Sequence, residues 1–182
     1  MFVGRGVKIS DADFYPLKVA LEIFSGGGLS SRLQKIAREK NGLTYGVYGG
    51  LANYDKADLI IGSFSTTPPN ADQLKNIISD EWQKFGKLSV SEDELAKAKD
   101  YLIASEPLRY ADIKNLSATM LYMQKQNLGL DFLQKRNTYI QGVKLEDINK
   151  IAKKYFTKSN LRFIMMGNFE IQEQKDNENV SR

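Results

Sequence analysis

Arg38 and Tyr45 are the residues of this chain whose types and spacing could act together on one ligand. Seven positions separate a cation near the end of a helical stretch from a phenol just past the glycine at position 42. A tight turn there brings helix end and strand start together, so guanidinium and hydroxyl can face the same molecule. Such a pair can hydrogen-bond the backbone carbonyls of an extended peptide, and the phenol can donate to a developing oxyanion. Taken singly, each has an ordinary explanation. Arg38 lies off the apolar stripe of its helix, as a surface arginine does, and Tyr45 suits a half-buried sheet position.

Most other chemistry is excluded by what the chain lacks. It has no His and no Cys. Without them there is no Ser-His-Asp triad, no thiolate nucleophile, no disulfide, and none of the usual ligands of a catalytic zinc. No metal site is expected in this chain, and any hydrolysis it takes part in is expected to have its catalytic centre elsewhere. The carboxylates form no persuasive acid/base pair: Glu22, Glu39 and Glu81 sit singly on helical stretches, and Glu92-Asp93-Glu94 opens a helix, where acidic residues cap and complement the dipole. Gly26-Gly27-Gly28 precedes a helix, so its amides could cradle a phosphate. It follows a helix rather than a strand and matches no nucleotide motif, so a turn with glycine at positive φ is the better reading.

The elements that must hold Arg38 and Tyr45 follow from periodicity. Residues 1–9 are strand-like, and Met1-Phe2-Val3 reads as a strand entered midway, which raises the expectation of a piece of a longer protein. Ser10–Asp13 offers N-caps for a helix carrying Leu17, Ala20, Leu21 and Phe24 to about Ser25. Ser30 or Ser31 can cap a second helix with the stripe Leu29, Leu33, Ile36 and Ala37, ended by Asn41-Gly42. Stretches 43–50 and 57–66 predict a β-hairpin that starts just before Tyr45. Leu74, Ile77, Ile78, Trp82 and Phe85 mark the clearest amphipathic helix. Further helices are predicted from Ser89 or Ser91 through Leu102, around Ile113, Leu116, Met120 and Met123, near 129–141, and from Leu145 to Tyr155. Leu161–Met166 reads as a last strand, apolar enough for the centre of a sheet.

Strands adjacent in sequence with helices in blocks predict an α+β fold, a mostly antiparallel sheet with helices packed on one face. Residues 1–168 are expected to form one domain and 169–182 a polar, disordered tail. No apolar run is long enough to span a membrane, and the N-terminus has no signal-peptide pattern. The 26 Lys and Arg against 22 Asp and Glu leave a net charge of +4 with interspersed signs, which gives no nucleic-acid footprint.

The stretch GGGLSSRLQKIAREKNGLTYGVYGG, residues 26–50, resembles the second-domain motif of the M16 zinc peptidases. That pattern is a Gly-rich turn, S-S-R-L, and R-E-K-x-G-L-x-Y, and Arg38 and Tyr45 stand at the matching spacing. Asp13-Phe14-Tyr15-Pro16-Leu17, Ser91–Lys99, Leu145–Ile148 with Ala152, and Met166-Gly167 also resemble family signatures, so the likeness spans roughly residues 5–168. It implies a domain without metal that closes a chamber against a homologous domain or subunit bearing the zinc motif H-x-x-E-H. By that resemblance Arg38 would position substrate backbone, and Tyr45 would polarise the scissile carbonyl and stabilise the tetrahedral intermediate. Gly26, Gly27, Gly28, Arg32 and Gly42 would be structural, with Arg32 tying the turn to nearby carboxylates or carbonyls. The cofactor implied is a zinc ion in the partner, and the substrate a peptide. A purely structural or docking module of the same fold is the rival implication.

Overall fold

The computed structural model describes residues 1–27, 30–129 and 131–167. Four strands, β1 (Phe2–Arg5), β2 (Val47–Asn53), β3 (Asp58–Phe64) and β4 (Arg162–Phe163), form one sheet in the order β2-β3-β1-β4. Every pairing is antiparallel. The helices are α1 (Phe14–Ser25), α2 (Ala71–Lys87), α3 (Glu92–Ala104), α4 (Ile113–Lys125), α5 (Phe132–Gly142) and α6 (Leu145–Tyr155). The α+β class read from the element order is the one observed.

The core lies between the sheet and α1, α2 and α6. Alternation sends Phe2, Val47 and Ile60 inward, each with no exposed surface. The Phe2 ring lies so close over β3 that a Cβ on Gly62 would fall 1.9 Å from it, so only glycine fits there. Phe24, Trp82, Phe85 and Phe156 complete an aromatic cluster, with ring centroids 4.4 to 5.5 Å apart. The Trp82 indole, itself fully buried, donates to the Thr157 carbonyl at 3.0 Å. The amphipathic stripe of α2 therefore does what its spacing predicts: Leu74, Ile78, Trp82 and Phe85 are buried.

Several expectations need correction. The apolar run at 161–166 yields two strand residues at the sheet edge, not a central strand. Leu161 is buried, but Arg162 points to solvent and Met166 is 97 % exposed, because β4 pairs on one side only, with β1. The helix predicted after Ser31 is a π-helix, Gln34–Lys40. The stripe around Met120 is helical, yet in α4 only Met123 is buried and Ile113 is 83 % exposed. Asp13 precedes α1 without a side-chain cap; its carboxylate instead accepts from Lys154 and from the Tyr155 hydroxyl, tying α1 to α6. Neither Gly26 nor Gly27 has positive φ. Side-chain ends lie over both instead: a Cβ on Gly26 would fall 2.1 Å from the Glu22 carboxyl carbon, and one on Gly27 2.8 Å from the Tyr101 hydroxyl. Gly28, Leu29 and the tail expected over 169–182 lie outside the described residues.

Arg32 is bound by a carboxylate. Its Nε and Nη2 donate to the two oxygens of Glu94 at 2.7 and 2.8 Å, and its guanidinium lies 5.0 Å over the Phe85 ring. Glu94 also completes the capping box of α3 with Ser91. One residue of the acidic run thus caps a helix and clamps the segment leading to Arg38. The Arg32 hydrogen bonds, aided by the Ser91 amide and opposed by burial, hold the Glu94 carboxyl down at about 2. A depressed pKa stabilises the fold above the unfolded value, here 4.5, and that contribution is lost as pH falls from there toward about 2. Glu94→Gln should therefore cost about 1–2 kcal/mol at pH 7, a figure reduced for solvent screening of a partly exposed pair. In denaturant titrations the difference between variant and parent should shrink steadily below pH 4.5. A difference independent of pH over that range would show that the ion pair carries none of it.

Candidate functional site

Arg38 lies in the last turn of the π-helix, a wide helical form that recurs at functional sites. The helix stops because Gly42 takes φ +60°, the left-handed conformation that glycine adopts without strain. The Gly42 amide donates to the Arg38 carbonyl at 3.0 Å and the Leu43 amide to the Ala37 carbonyl at 2.9 Å. Those two bonds fold the incoming chain back onto the helix end. Tyr45 then stands three residues beyond Gly42. It is on a bend that precedes β2 by two residues, not on the strand as expected, because the chain reaches the β3 ladder only at Val47.

The bend is pinned by two hydroxyls. The Thr44 hydroxyl accepts from the Gly46 amide and lies within bonding distance of the Gly46 and Ser65 carbonyls, at 2.8 and 2.7 Å. Thr66 donates to the Leu43 carbonyl at 2.5 Å. Thr44 is buried, Leu43 is buried, and between them and β2 the Tyr45 side chain is 91 % exposed. A rigid backbone therefore presents a phenol to solvent. Its hydroxyl has no hydrogen-bond partner among the described residues, and neither has the exposed guanidinium of Arg38.

Beside Tyr45 is an open depression of about 370 Å³ lined by Tyr45, Gly46, Tyr48, Ser63, Phe64 and Ser65. Tyr48 covers the backbone at Gly46 so closely that a Cβ there would fall 2.6 Å from its ring. Glycine at 46 is thus what lets Tyr48 lie beside Tyr45. Arg38 is not among the lining residues, so the structure joins the two predicted residues through the turn and not through one cavity wall. Thr44, Gly46, Tyr48 and Thr66 were not singled out from sequence. Gly46 standing between two tyrosines three residues apart, Tyr45 and Tyr48, was the available signal; the threonine pins had none.

The residues present do not fit a zinc site. The chain has neither His nor Cys, and among the described residues no group of three or more acidic, His or Cys side chains could hold a metal. No zinc step is assigned to this chain. What the surface offers is one exposed donor on a fixed bend, one exposed guanidinium at a helix end and a shallow apolar-and-hydroxyl recess.

Residues 1–102, from β1 through most of α3, match the family described as the peptidase M16 inactive domain. The chain belongs to that family. This M16 inactive domain is 29 % identical over 175 residues to the "Non-peptidase homolog YmxG" of Helicobacter pylori, covering 92 % of this chain and 39 % of that protein. It is 25 % identical over 159 residues to the "Uncharacterized zinc protease YmxG" of Bacillus subtilis, covering 84 % of this chain and 37 % of that one. The crystal structure of a peptidase M16 inactive domain from Pseudomonas fluorescens shares the fold, with a TM-score of 0.75 at 24 % identity over 88 % of this chain and 38 % of that one. The M16 inactive domain thus spans about two-fifths of the length of the curated relatives it matches. Among its described residues no helix is long and apolar enough to cross a membrane.

Proposed function

We propose that this M16 inactive domain is the non-metal half of a zinc-dependent endopeptidase. It binds extended peptide against a zinc-bearing H-x-x-E-H domain or subunit, on which the zinc supplies the Lewis acid and the activated water. The single observation that carries the reading is the Tyr45 phenol, 91 % exposed on a bend held by Thr44 and Thr66. A large side chain displayed from a pinned backbone, with no partner among the described residues, suits contact with another molecule. In this reading Arg38 grips backbone carbonyls of the peptide, and the Tyr45 hydroxyl donates to the oxygen of the scissile carbonyl as it gains charge. Tyr48 and the recess beside it take a side chain of the bound segment. A second reading is favoured by the name of the Helicobacter relative, a non-peptidase homolog. The same surface would then dock a partner without turnover.

The experiment is reconstitution with a purified zinc-bearing M16 half, using a quenched fluorescent peptide. Hydrolysis is expected only when both halves are present. Full activity of the zinc-bearing half alone, unchanged by this chain, would leave the docking reading in its place.

A further inference from the structure

Helices seal one face of the sheet and leave the other open. Phe2, Val47 and Ile60 on the sealed face have no exposure, whereas Val3, Leu59 and Ile61 on the open face are half-buried and Tyr48, Arg5 and Arg162 are exposed. The register aligns Gly50, Ile61, Val3 and Arg162 in one row across the strands, and Ala52, Leu59 and Arg5 in the next. A Cβ on Gly50 would meet nothing within 4 Å, so the row is recessed at that end. Val3 has Arg162 beside it and Arg5 diagonal to that, the sheet relation that sets two residues about 7–8 Å apart.

Among the strand residues the charge on this face has one sign. The strands place no carboxylate on it, since Asp58 falls on the opposite parity and lies within bonding distance of Asn53. The Arg5 side chain has no hydrogen-bond or ion-pair partner among the described residues. Arg162 gives one nitrogen, Nη1, to the Ser159 and Leu161 carbonyls, which fixes the fork and leaves Nε and Nη2 to donate elsewhere. Two guanidiniums at the border of an apolar shelf match carboxylates on a chain whose other side chains are apolar, because a planar fork binds a carboxylate bidentately.

We propose that the open face selects extended peptides bearing acidic side chains, held by Arg5 and Arg162 while Val3, Leu59 and Ile61 cover their apolar neighbours. This rests on reading the domain as peptide-binding, and it names the substrate class. From Tyr48 to either arginine is about 16 Å across the sheet, or five residues of extended chain. The acidic positions are therefore about five residues from the segment held at Tyr45.

The test is a fluorescence-anisotropy titration of the 182-residue chain with two labelled twelve-residue peptides that differ only in three Glu→Gln changes. The Glu peptide is expected to bind about tenfold more tightly than its Gln counterpart. In the double variant Arg5→Gln/Arg162→Gln that ratio should fall to near one, with Trp82 emission unchanged as evidence of folding. Removing two cations from the helical side, Lys87→Gln/Lys97→Gln, should leave it intact and so exclude a mere effect of net charge. Equal binding of the two peptides, tighter binding of a Lys-substituted peptide, or a ratio that survives in the double arginine variant would each overturn the proposal. So would self-association of the chain that blocks the face. The titration reads binding by this chain alone, whereas the role of Tyr45 is decided by turnover with the zinc-bearing half, so either can fail without the other.

Discussion

Tyr45→Phe should lower kcat of the reconstituted peptidase by roughly 10²–10³ while KM changes much less. The substitution removes one hydroxyl and almost no volume. The side chain is 91 % exposed and bonds nothing among the described residues, so stability should be unaffected. A donor that meets its acceptor only as the carbonyl oxygen gains charge acts on the transition state and not on the bound substrate. Arg38→Ala should behave differently. A guanidinium that holds peptide carbonyls in ground and transition states alike mainly raises KM. Steady-state kinetics on the two variants therefore separates donor from clamp. If Tyr45→Phe leaves kcat within about twofold of the parent, no oxyanion donor was removed, and the docking reading is favoured.

The second large effect concerns the scaffold. Arg136 of α5 is 4 % exposed and makes an ion pair with Glu106 at 2.7 Å, while its Nη2 also donates to the Leu102 carbonyl at 3.1 Å. Glu106, whose side chain is 14 % exposed, accepts as well from the Tyr110 hydroxyl. This knot joins the end of α3 to α5. Arg136→Met keeps most of the stem's volume and strands a buried carboxylate and a buried carbonyl, which should cost about 3–5 kcal/mol. Adding Glu106→Gln removes the stranded charge and should restore a large part of the loss. Urea unfolding followed at Trp82, the single tryptophan and fully buried, reads both. A loss below about 1 kcal/mol for Arg136→Met would mean that water reaches the carboxylate and that the pair is a surface one.

The two effects fall at opposite ends of what sequence can reveal. The turn that sets Arg38 and Tyr45 close along the chain was legible because Asn41-Gly42 marks a helix end. The stripe of α2 and a helix start at Ser89 or Ser91 were legible because both are local patterns of three to four residues. What holds the Tyr45 bend was not. The hydroxyls of Thr44 and Thr66 bond carbonyls 21 and 23 residues away, and such a threonine reads in sequence like any other in a strand. Nor could periodicity distinguish a π-helix from an α-helix over seven residues, since the apolar positions Leu33 and Ala37 fit both. The place of β4 was misread for a related reason. An apolar run reports burial, but strand order is set by long-range pairing, and here β1 is flanked by β3 and β4 so that β4 takes the edge. Arg136 escaped notice because a lone arginine on a short polar helix carries no mark of the carboxylate it meets thirty residues upstream.

The most direct measurement of the central claim is the affinity of a phosphinic peptide, a mimic of the tetrahedral intermediate, for the complex of this chain with a zinc-bearing M16 half. If the Tyr45 hydroxyl donates to the oxygen that bears charge in the transition state, the inhibition constant should rise in Tyr45→Phe by the factor by which kcat/KM falls, roughly 10²–10³. An inhibition constant that Tyr45→Phe leaves unchanged, in a complex that still assembles, would contradict the account.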